Sequence, residues 1–327
     1  MRKVFGYILV GLGAFLLIVA ALGFFWAPGQ VEKVPNDTDH TTRLSGQARK
    51  LNLTSGKLED LPVKVTQVNK ADPKRSTGDV TSWVRTTCVV VDKGDVPDCV
   101  TANDPQDRLI SATVDAFATD RHTALAVSNP GKYVPPPAVL YKGILNKFGF
   151  GTEKKTYPFW DDVLKRPLPA EFQDVEKVHG LEVYKYHVLA DKVSTDIAEG
   201  VKGFYTVEVT ILVEPVTGAI INQTQRDFRQ LPDGSTVLDL NVSFTPQQVA
   251  SDASDGKHDS GQIELITRTV PLVGLIAGLL ALAGGIVLLL RARRAAPTAD
   301  ETGAAGPEGP EGPTRRDDHD DVVPGLE

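Results

Sequence analysis

The chain is poor in the features that mark a catalytic or nucleic-acid-binding protein. It has 327 residues, with 35 Lys and Arg against 42 Asp and Glu and a net charge of -7. It therefore lacks the basic surplus that would offset DNA or RNA phosphates, and a nucleic-acid partner is excluded. There is no GxSxG, no HExxH, no P-loop, and no GxGxxG outside the first apolar block, so an enzyme would have to rest on dispersed residues. His40, His122, His179, His187 and His258 are scattered; His179 and His187 lie about 26 Å apart along an extended strand and cannot share a metal. Asp252, Asp255 and Asp259 lie near Gly256 without the alternation of a calcium loop, and Asp161-Asp162 reads as an exposed or helix-capping pair. No catalytic residue, metal or cofactor is assigned.

Charge is absent from two stretches. Residues 4–26 (VFGYILVGLGAFLLIVAALGFFW) and 270–290 carry no ionisable acid or base, and about 20 apolar residues suffice to cross a hydrocarbon core of about 30 Å. The first block is too long for the apolar region of a cleaved signal peptide and runs into Phe24, Phe25 and Trp26, so it reads as an uncleaved signal anchor. Arg2 and Lys3 precede it, and Arg291, Arg293 and Arg294 follow the second block. Basic residues at span ends favour the cytoplasmic side. The expected layout is a cytoplasmic start (1–3), span one (4–26), an extracytoplasmic domain (27–269), span two (270–290) and an acidic cytoplasmic tail (291–327), all at the plasma membrane. The tail, with GPEGPEGP and Asp317, Asp318, Asp320 and Asp321, has a composition that buries no core and is expected to be disordered. Neither span holds a polar residue that would mark an ion path. Gly274 and Gly278 form a GxxxG, which predicts close packing with the first span or with a second copy or other membrane partner.

Cysteine is nearly absent too. Cys88 and Cys99 are the two in the chain, both in the external segment, without the CxxC spacing or nearby His of redox proteins. An oxidising compartment favours a structural disulfide between them.

The external segment reads as mainly antiparallel β, giving a membrane-anchored α+β class. In FYTVEVTILVEP, Tyr205, Val207, Val209, Ile211 and Val213 alternate with Thr206, Glu208 and Thr210, as a half-buried strand requires. Turns at 215–218 and 231–234 and a second alternation from Thr236 to Phe244 complete a three-strand meander, whose middle member, 219–230, is polar on both faces and reads as exposed. LPVKVTQVNK, WVRTTCVVVD and LEVYKYHVLA add strands, while 164–175 is broken by Pro167 and Pro169. Thr245-Pro246 opens a short helix through Val249. Residues 252–261 read as a flexible polar linker. For a ligand site the aromatic stretch Phe148, Phe150, Tyr157, Phe159 and Trp160 is the candidate, because its rings, interleaved with Lys147, Lys154 and Lys155, would meet acyl chains and anionic head groups. Packing against the sheet is the competing reading for those rings.

Several stretches taken together resemble the PorA-like two-helix membrane proteins of actinobacteria. They are Thr77-Gly78-Asp79 before WVRTTCVVVD, Asp120-Arg121-His122-Thr123, KFGFGTEKKTYPFWD (147–161), Val178-His179-Gly180-Leu181-Glu182-Val183-Tyr184, and YTVEVTILVEPVTGAI (205–220). Ala124 stands where this family's Asp-Arg-x-Thr turn continues with Gly. The resemblance spans the chain up to Arg294 and implies a cell-envelope location and a two-helix architecture, with no chemistry attached. Three functions remain open: a non-catalytic domain that binds or handles an envelope ligand, membrane lipid above all; a porin-type subunit of an oligomeric pore; and a structural or regulatory envelope protein.

Overall fold

A computed structural model describes residues 2–52, 55–198 and 200–294. Among these residues the order is α1 (Arg2–Phe25), α2 (Pro28–Val31), β1 (Asp39–Leu51), β2 (Leu58–Ala71), β3 (Val80–Val91), β4 (Leu109–Asp120), β5 (Tyr157–Asp161), β6 (Arg166–Val178), β7 (Leu181–Ala198), β8 (Val201–Val213), β9 (Ile220–Gln230), β10 (Thr236–Phe244), α3 (Pro246–Glu264) and α4 (Val270–Arg294). The tail beyond Arg294, expected to be disordered, lies outside the described residues.

The strands form one sheet in the order β4-β3-β2-β1-β10-β9-β8-β7-β6-β5, each adjacent pair antiparallel. The first and last strands meet in its middle, with Leu44 opposite Phe244. That register brings the exit of α1 and the entry of α3 to the same end of the sheet. The edges β4 and β5 are linked at one level by single-residue bridges, Thr119 to Ala126, Leu125 to Ile144 and Ile144 to Phe159. The sheet thus curls into a half-barrel whose wall is completed there by the segment between β4 and β5. Phe148 N donates to Gly218 O (2.8 Å), tying that segment to the β8–β9 turn. Gly218 has φ +74°, and a Cβ there would lie 2.2 Å from Phe148 O, so the junction requires glycine.

The meander predicted for 203–244 is present as β8, β9 and β10. Two expectations, one within it and one just after it, are corrected. β9 is no exposed strand: it pairs on both sides, and its polar residues Gln223, Gln225, Asp227 and Arg229 face inward. Residues 252–261 form no linker, because α3 runs through Glu264 and a π-helical turn at Leu265–Thr269 carries it into α4. Thr245 caps α3 by accepting from Gln248 N (3.2 Å). The buried face of α3 is Gln248, Asp252, Ala253, Gly256 and Ser260, small and polar at helical spacing, which is why composition alone reads it as solvated. β6 accommodates Pro167 and Pro169 because its first residues pair only with β5; pairing with β7 begins at Ala170.

α1 and α4 are each long and apolar enough to cross a membrane, and they pack on each other through glycines. A Cβ at Gly278 would lie 3.1 Å from Gly13 O, one at Gly285 would lie 2.9 Å from Gly6 O, and Gly274 faces Leu16 and Ala20. Their outer faces expose Phe5, Phe15, Ile18, Ile276 and Leu280. The seam thus lies within one chain.

Candidate functional site

Strand register assembles the interior of the half-barrel in layers. His40, Asn69, Arg85 and Asp115 stand opposite one another across β1 to β4, and two residues further along come Thr42, Gln67, Thr87 and Thr113. A third layer, Leu44, Val65 and Val89, is apolar. Because side chains alternate across a strand, all three layers point to the same face. With Val207, Val209, Leu240, Val242 and Phe244 from the other half of the sheet, they enclose a lumen of about 1100 Å³. One wall is α3, which presents Asp252, Asp255 and Asp259 and then Ile263 and Ile266, so the lumen follows that helix toward the apolar pair.

The lumen is mostly apolar with built polar groups. Arg85 Nη2 lies 3.3 Å from Asp115 Oδ2 and 3.0 Å from Asp162 Oδ2, while Trp160 Nε1 donates to Asp162 Oδ1 (2.9 Å) and the Tyr141 hydroxyl to Asp115 Oδ1 (3.3 Å). Burial pushes the Tyr141 phenol up to about 12. On the opposite side Arg229 forks onto both oxygens of Asp227 (2.9 and 2.6 Å), and the Tyr205 hydroxyl donates to Asp161 Oδ2 (3.0 Å). Burial raises the carboxyl of Asp161, against hydrogen bonds from Leu164 N, the Tyr205 hydroxyl and Val163 N. It likewise raises that of Asp252, which accepts from Gln248 Nε2 (2.9 Å) and lies 3.9 Å from His40 Nε2. Lys147 has no acidic partner in contact; its Nζ sits 4.0 Å from the centre of the Phe150 ring. Burial pushes its ammonium down to about 7, against a smaller upward pull from Glu214.

The residues singled out from the sequence divide. Phe150, Phe159 and Trp160 line the lumen together with Lys147. Phe148 is fully buried beside Tyr157 and Tyr186. Lys154 lies over the rings of Phe172 and Tyr184, and Lys155 pairs with Glu153 (2.6 Å), neither against the lumen. Cys88 and Cys99 are bonded to each other with Cα atoms 5.6 Å apart, on the far side of β3 from Thr87 and Val89. Asp162 is exposed, as expected, and also pairs with Arg85; Asp161 accepts from Val163 N and Leu164 N of the following turn but is buried, and its second oxygen accepts from the Tyr205 hydroxyl at the lumen wall. The cross-sheet layer of His40, Asn69, Arg85 and Asp115 was not read from sequence; its signal was the alternation Val65-Gln67-Asn69 and Arg85-Thr87-Val89, which shows which face each strand turns inward. Among the described residues no group of three His, Cys, Asp or Glu is placed to hold a metal. The arrangement provides an amphipathic chamber.

The sequence profile of the family described as Porin PorA matches residues 5–287. A curated relative, Porin PorA of Corynebacterium amycolatum, is 25% identical, the match covering 70% of this chain and 78% of the relative. The profile takes in both apolar helices and the whole half-barrel between them: the chain belongs to the Porin PorA family.

Proposed function

We propose that this chain is a non-enzymatic porin subunit of the cell envelope, anchored in the plasma membrane by α1 and α4 with both termini cytoplasmic and the half-barrel outside, and that the lumen is the part of the passage each copy contributes. The observation that carries this is the lumen's continuity: it runs from the inner face of the sheet along α3 to Ile263 and Ile266, next to the apolar helices, in a chain of porin family. The half-barrel is not the spanning element, since its outer face exposes Glu171, Lys177, Glu182, Lys192, Lys202 and Glu208, where a membrane barrel needs an apolar band. The helix pair has no polar lining, so the pore arises between assembled copies. Full-length protein in planar bilayers should give stepwise currents that prefer cations, and Asp255→Asn with Asp259→Asn should lower that preference. Silent bilayers at high protein content would refute the reading.

A second reading, that the lumen holds an envelope amphipath, is favoured by its largely apolar lining, including Leu44, Val65, Val89, Leu240 and Val242. Its volume of about 1100 Å³ lies just above the range of small-molecule sites, roughly 300–1,000 Å³.

A further inference from the structure

Three buried polar atoms on lumen-lining side chains have no hydrogen-bond partner among the described residues: Asn69 Oδ1, Arg85 Nε and Asn146 Oδ1. Leaving such atoms unpaired is costly, and three on lumen-lining side chains point to something that pairs with them. Two are acceptors and call for hydroxyl donors; the third is a donor on a guanidinium whose charge Asp115 and Asp162 already meet, and it calls for a neutral oxygen. Asn69 and Arg85 are direct cross-strand partners. Asn146 adjoins Lys147, whose ammonium lies over Phe150 without an acidic contact. The two cations flank one aromatic cluster: Arg85 lies 5.5 Å from the ring centre of Phe117, which packs with Trp83, Tyr141 and Trp160, and Phe150 packs against the same group. Beyond this polar end the lining becomes apolar at Leu44, Val65 and Val89.

We infer that the lumen takes a single-chain amphipath whose head group combines an anionic oxygen with hydroxyls, the anionic oxygen meeting Lys147, the hydroxyls donating to Asn69 and Asn146 and accepting from Arg85 Nε, and the chain lying along the apolar layer. This rests on the second reading above and adds the chemistry of the head group. A ligand without charge leaves Lys147, partly buried in the lumen wall, without a counter-ion; one without hydroxyls leaves both amide oxygens unpaired. Charge-assisted hydrogen bonds contribute about 1.5–3 kcal/mol each, so one such contact corresponds to about tenfold or more in affinity.

The test is native mass spectrometry of the full-length protein in detergent, with lysophosphatidylglycerol and lysophosphatidylcholine competing at equal concentration. The expected result is one lipid per chain, with the anionic glycerol lipid ahead by about tenfold. Lys147→Gln should lower the occupancy by both lipids and narrow the preference, and Lys147→Arg should keep both. Equal occupancy by the two lipids in the wild-type protein, or occupancy that Lys147→Gln leaves unchanged, overturns the head-group assignment while leaving the chamber reading standing. Binding of neither lipid overturns both. Because the lipid comparison is made on the wild-type chain, poor folding of a variant does not protect the proposal.

Discussion

At the scale of single residues, Lys147 is the most informative. In the unfolded chain its ammonium titrates near the ordinary lysine value, about 10.4; in the fold, burial lowers it to about 7. Between those values the unfolded chain holds a proton that the folded chain has lost, so this group's contribution to stability rises with pH across that window. Below about pH 7 both states are protonated and the cost of burying the charge is felt in full. Glu214 offsets part of it, but the carboxylate of Glu214 is itself occupied by Val216 N and by Thr217. Lys147→Met should therefore stabilise the protein at pH 6, and its advantage over wild type should shrink by pH 9, as read from denaturant midpoints. An advantage independent of pH would mean that the lysine is solvated. Tyr205 offers a second check. Its hydroxyl meets Asp161 in a buried contact, and Tyr205→Phe should cost about 1–2 kcal/mol, measured by the same denaturation; a neutral change would show that Leu164 N and Val163 N satisfy Asp161 by themselves.

At the scale of elements, the helix pair shows why close contacts matter more than apolar character. Gly278 approaches the backbone of α1 at Gly13, whereas a Cβ at Gly284 would meet nothing within 4 Å. Gly278→Leu should lower the melting temperature of the full-length protein in detergent, overpacking of this kind costing about 1–3 kcal/mol, while Gly284→Leu should leave it unchanged. Equal effects would argue against the seam. The disulfide acts on a shorter range: Cys88 and Cys99 are 11 residues apart, and closing so short a loop contributes about 3 kcal/mol in the chain-entropy account. Cys88→Ser with Cys99→Ser should show a corresponding loss of stability, and reductant should reproduce it in the wild-type protein.

Element by element, the sequence was readable where one residue type repeats at a fixed period. The alternation of Tyr205, Val207, Val209 and Ile211 announces β8, and the uncharged runs announce α1 and α4. It was misleading where burial is achieved with polar or small groups. α3 covers Leu181 and Ile221 with Ala253 and Gly256, and β9 spends its inward face on Gln223, Gln225, Asp227 and Arg229, so both look solvated from composition. Gly6 and Gly13, which complete the helix seam, went unread because a single glycine in an apolar helix has no face until its partner is known.

At the scale of the whole molecule, the lumen was the least readable feature, because it exists only through register. His40, Asn69, Arg85 and Asp115 are spread over 76 residues of chain and become neighbours when four strands align. The aromatic stretch around Phe159 and Trp160 was visible as a cluster, yet Phe148 and Tyr157 serve the core beside Tyr186, a division set by tertiary packing of the segment between β4 and β5 and carried by no period in the sequence. What the family relationship adds is a reason to expect passage through this protein; what the half-barrel adds is where the passage would run.

That location is open to one direct measurement. The two native cysteines are bonded to each other, so a new cysteine is the one free thiol. Thr87 lines the lumen and Thr86 is exposed on the outer face of the same strand. Full-length protein carrying Thr87→Cys should lose its current in planar bilayers when a bulky methanethiosulfonate reagent is added, and protein carrying Thr86→Cys should not. Currents that persist after Thr87→Cys is fully labelled would place the conducting path outside the half-barrel and contradict the account.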